Sequence, residues 1–77
     1  MTEAQETIQE VKSITKTYLE ELCTENTTPY LCKLRDTKKG YKEIEQFVIN
    51  MVFKKQYTIA DALFLKERQL NPQMIND

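Results

Sequence analysis

The segment Thr2–Thr24, TEAQETIQEVKSITKTYLEELCT, decides the fold class. Its apolar positions recur at Ala4, Ile8, Val11, Ile14, Tyr18, Leu19 and Leu22, with Thr15 in the same stripe. Steps of three and four describe one face of an α-helix, not the alternation of a strand. The opposite face holds Glu6, Gln9, Glu10, Ser13, Thr17, Glu20 and Glu21. Thr2-Glu3-Ala4-Gln5 has the form of a capping box, and Glu3 and Glu6 stand where the helix dipole favours anions. The pattern predicts an amphipathic helix from about Glu3 to Thr24.

After this helix, Glu25-Asn26-Thr27-Thr28 is a polar break and Thr28-Pro29 a restart, with proline at the helical position where a missing N–H costs nothing. A short helix over about 29–36 places Tyr30, Leu31 and Leu34 near one face. Lys38, Lys39 and Gly40 read as a helix C-terminus followed by a left-handed glycine, so a turn is expected over residues 37–40. A third helix, about 41–56, carries Ile44, Phe47, Val48 and Met51 in one stripe with Tyr41 and Val52 at its edge. Ile49 and Phe53 lie well off that stripe, which is expected of a central helix with neighbours on several sides. Thr58-Ile59-Ala60-Asp61 opens a fourth helix over about 59–70 with a further cap signature, and Asn71-Pro72 stops it. The tail 71–77 should fray, unless Met74 and Ile75 tuck against a neighbour.

Composition agrees. The chain of 77 residues has one glycine and two prolines, too few for the turns of an all-β domain. It is 40% apolar and 30% charged, ordinary for a folded chain. The expectation is a single all-α domain over 1–77, a small compact bundle of three main helices plus one short helix. Nine lysines to two arginines, with many Ile, Thr and Asn, suggest an AT-rich coding sequence of bacterial or phage origin. The polar amino terminus is unlike a signal peptide, and no apolar run approaches the ~20 residues that span a bilayer. A cytoplasmic protein with no membrane contact is expected.

Catalysis is not expected. The absence of histidine removes Ser-His-Asp and Cys-His chemistry and every histidine-ligated metal. A single glycine builds no phosphate loop. Neighbouring carboxylates such as Glu43 and Glu45, or Glu20 and Glu21, point in different directions on a helix. A chain this small should also offer little room for a ligand pocket. Cys23 and Cys32 alone do not complete a zinc site and lack Cys-x-x-Cys spacing. In a cytosolic chain they read as two small buried apolar side chains rather than a disulfide. No cofactor, metal or small-molecule substrate is implied.

Two functional readings remain. In the first, apolar surface on helices three and four, carried by Ile49, Phe53, Phe64 and Leu65, serves a non-catalytic interaction protein. It would self-associate as a homodimer or dock a partner protein, as small folds often do. The second rests on charge. The net charge of −1 resolves into −4 over residues 1–25, +4 over 33–42 and −1 over the remainder. The basic turn holds Lys33, Arg35, Lys38, Lys39 and Lys42 near Tyr30 and Tyr41. Helices three and four outline a helix-turn-helix, in which Lys54, Lys55, Lys66 and Arg68 would meet nucleic-acid phosphates. Against it, the reading helix would begin with aliphatics and Asp61, and the joint lacks glycine. An ordinary helical hairpin is the simpler reading.

Overall fold

The computed structural model describes residues 3–71, with side chains from residue 6 onward. It is all-α: α1 (Glu3–Glu25), α2 (Pro29–Arg35), α3 (Lys38–Lys55) and α4 (Ile59–Leu70). Each helix packs against the other three, most extensively α3 with α4 and with α2. Among the described residues no helix is long and apolar enough to cross a membrane. The expected capping pair of Thr2 and Gln5, and the tail contacts of Met74 and Ile75, lie outside the described residues.

All four helices supply the core. Val11, Leu19 and Leu22 come from α1, Leu31 from α2, Ile44 and Val48 from α3, and Ala62 and Leu63 from α4. Thr15 is fully buried among them, because its hydroxyl donates to the Val11 carbonyl at 2.6 Å and so satisfies its polar group within the helix. Phe47, Ile49, Met51 and Val52 pack against this core from its edge. The α1 stripe is narrower than its apolar residues implied. Ile14 and Tyr18 are 46% and 39% exposed, since the seam through Val11, Thr15, Leu19 and Leu22 leaves them on its flank.

The helix ends depart from expectation in an instructive way. Thr37 is the N-cap of α3, its Oγ1 accepting from the Gly40 amide at 2.9 Å. Lys38 and Lys39 therefore open α3 rather than close α2, and Gly40 is a buried helical residue. A β-carbon at Gly40 would collide with the Leu34 carbonyl and stand 2.8 Å from Thr37 Oγ1. The glycine is there for close approach, not for a left-handed turn. Among the described residues the left-handed positions are Asn26 and Gln56, both at φ 58°. Asn26 ends α1 in a Schellman arrangement, with the Thr27 amide on the Leu22 carbonyl at 3.2 Å and its own amide on Cys23 at 3.3 Å. Thr58 caps α4 as its sequence predicts, Oγ1 accepting from the Asp61 amide at 3.0 Å. Asn71 is extended at φ −88°, ψ 109°, the conformation a following proline imposes.

The cysteines are also different from the expectation of buried thiols. Cys23 at the end of α1 and Cys32 in α2 are half-buried and joined as a disulfide, with Cα atoms 5.7 Å apart. The Asn26 turn brings the two helix ends together, which a nine-residue spacing does not reveal by itself.

Candidate functional sites: a basic cleft and two exposed phenyl rings

The start of α2 shows how the bundle spends its most buried charge. Pro29 takes the first helical position, and Thr28, the N-cap residue, makes no side-chain cap hydrogen bond; its buried hydroxyl lies 3.9 Å from Cys32 Sγ. Glu67 of α4, only 5% exposed, does the capping across the bundle. Its Oε1 accepts from the Leu31 amide at 2.8 Å and its Oε2 from the Tyr30 amide at 3.4 Å. A carboxylate at a helix N-terminus is favoured by both the free N–H groups and the dipole. Glu67 is thus structural. Sequence reasoning passed over it, though its position four residues after Leu63 places it on the buried face.

The expected apolar contact residues divide. Ile49 packs against the core and Leu65 is half-buried. Phe53 and Phe64 are 47% and 45% exposed, and Tyr57 in the joint is 41% exposed. Phe53 follows the buried Ile44 by nine residues, half a turn out of phase, and so faces away from the core. Phe64, three residues before Glu67, is on the α2-facing flank of α4. The opposite flank meets α3 through Lys66.

The expected cations divide as well. Lys66 is engaged, 3.3 Å from Glu43 and 5.0 Å above the Phe47 ring, with its side chain 13% exposed. Lys54 and Lys55 occupy the last turn of α3, roughly 20 Å along the helix from the basic turn, and Arg68 is exposed on α4. Lys33 lies 5.8 Å from the Tyr30 ring centre, and Lys39 is exposed in the first turn of α3.

Arg35, Lys38 and Lys42 are gathered into one cleft of about 450 Å³, joined by Lys16 from α1. Asp36, Thr37, Tyr41 and Glu45 complete its wall. Burial, helped by the charges of Glu45 and Glu20 and opposed by Arg35, raises the Tyr41 hydroxyl above the usual tyrosine range. Open grooves of about 440 and 320 Å³ run along α1, the first lined by Glu20, Glu21 and Glu25, the second by Ile14, Tyr18 and Glu21. Compared with known proteins, the chain matches no family model, no curated protein and no solved structure.

Proposed function

We propose that the chain is a non-catalytic interaction protein, which self-associates or docks a partner protein through apolar side chains that α3 and α4 leave uncovered. Phe53 carries this reading. It is 47% exposed and turned from the core, on a helix whose other large apolar residues are at least half-covered. Fully burying a phenyl side chain is worth about 1.5–3 kcal/mol, so a partner that covers Phe53 and Tyr57 gains from both. The nucleic-acid reading through a helix-turn-helix is the weaker one, because Lys66 is held by Glu43 and Phe47.

Sedimentation velocity over a micromolar concentration series tests self-association, and crosslinking in extract tests a foreign partner. Phe53→Glu should abolish the association and leave the monomer folded, since the ring contributes little to the core. A monomer at every concentration, with no crosslinked partner sensitive to Phe53→Glu, overturns the proposal.

The compartment is open to the same kind of test. Disulfides persist in oxidising compartments and are rare in the cytosol. The Cys23–Cys32 bond therefore argues for oxidising surroundings over cytoplasmic residence. Alkylation of cells before lysis reads the answer: labelled thiols would favour the cytoplasm, and unlabelled cysteines an oxidising compartment.

A further inference from the structure

We propose that the cleft walled by Lys16 of α1, Arg35 of α2 and Lys38 and Lys42 of α3 binds a phosphate-bearing anion. Three helices converge on it, so the cations are brought together by the fold and not merely by their order along the chain. Lys16 shows this most plainly, because it joins the group from a segment whose net charge is −4.

The charges of the cleft are uncommitted. Among the described residues the one ion pair is Lys66–Glu43, at the far side of α3, so no cation of the cleft is neutralised by direct contact. Four cations stand against the carboxylates of Asp36 and Glu45 in its wall and of Glu20, which acts on Tyr41 from beside it, leaving a net +1 that favours an anion such as a phosphate group. Arg35 offers a planar fork suited to phosphate oxygens, and the lysines add point charges with rotatable donors. The Tyr41 hydroxyl supplies a further donor. A volume of about 450 Å³ lies within the range of small-molecule sites, and the open mouth also admits a phosphodiester backbone.

Two sources of such a group are separable by titrating the isotope-labelled 77-residue chain, observed by amide NMR, with inorganic pyrophosphate and with short duplex DNA at low salt. Shifts gathered at Lys16 and over 35–42 are expected with at least one probe. Pyrophosphate alone would identify a small phosphorylated ligand; DNA alone, or DNA with much the greater affinity, would identify a nucleic-acid backbone. Charge-assisted contacts are worth enough that Lys38→Gln with Lys42→Gln should weaken binding by about tenfold or more. Both side chains are exposed, so the melting temperature should hold. Lys54→Gln with Lys55→Gln, on the same helix but outside the cleft, should leave pyrophosphate binding and the shifts at Lys16 and over 35–42 unchanged. Absence of shifts with both probes, or equal weakening by the two double variants, overturns the proposal. Phe53→Glu should bind the anion as the parent chain does, so this test fails or succeeds independently of the protein-docking reading.

Discussion

The Glu67 carboxylate of α4 accepts a hydrogen bond from the Leu31 amide of α2 at 2.8 Å, across 36 positions of sequence. Replacing Glu67 with alanine would leave the Leu31 and Tyr30 amides without an acceptor inside the bundle. Each buried unsatisfied group costs about 1–3 kcal/mol. Glu67→Ala should therefore lower stability by about 2–4 kcal/mol. Glu67→Gln keeps one oxygen for Leu31 and should lose about half as much. Urea unfolding of the two variants measures the difference, and equal losses would show that volume rather than capping matters at this position.

The disulfide should stabilise mainly by restricting the unfolded chain. A loop of this size corresponds to about 2–3 kcal/mol. Thermal unfolding with and without a reducing thiol should show that loss. Cys23→Ser should reproduce it, and the two effects should not add.

Backbone shape distinguishes Gly40 from Gln56. Gly40→Ala forces a methyl group into the Leu34 carbonyl, and overpacking of this kind costs about 1–3 kcal/mol. At Gln56 the left-handed conformation, φ 58°, strains any side chain by about 1–2 kcal/mol. Gln56→Gly should recover part of that strain and raise the melting temperature. The opposite signs at the only glycine and at a polar joint residue are the test.

Tyr41 titrates above the ordinary tyrosine value near 10, chiefly because burial disfavours its phenolate and because Glu45 and Glu20 add negative charge. The folded state then binds this proton more tightly than the unfolded state does. Its stabilising contribution is fully present below pH 10 and is lost as pH rises through the elevated folded value. Ultraviolet titration of the parent chain and of Tyr41→Phe should show a phenolate that forms above the ordinary tyrosine range in the parent and is missing from the variant.

Much of the architecture was legible because it is local. The Thr58–Asp61 cap, the proline at the start of α2 and the seam through Val11, Thr15, Leu19 and Leu22 each lie within a few turns of chain. The α2–α3 boundary was misplaced because Lys38-Lys39-Gly40 satisfies the chemistry of a helix end. The hydroxyl of Thr37, three residues before the Gly40 amide, is what makes it a beginning. Glu67 was invisible for another reason: its partners are set by packing between helices, and neither a period of 3.6 nor a cap pattern encodes a contact made across the bundle. The disulfide was set aside because a cytosolic chain was expected, not because its two cysteines were hidden. The basic segment was visible as charge, whereas the arrival of Lys16 depended on how α1 lies against it.

The seven-residue α2 is too short to persist as a helix by itself. The α1 cysteine, the α4 carboxylate and the close approach of α3 at Gly40 all converge on it. Freeing α2 would mean undoing attachments to every other part of the chain. Hydrogen exchange at the Leu31 amide should therefore proceed only through whole-chain opening, and its rate should track the global unfolding free energy across the Glu67 and Gly40 variants. The smallest helix would then be among the last to let go of its protons.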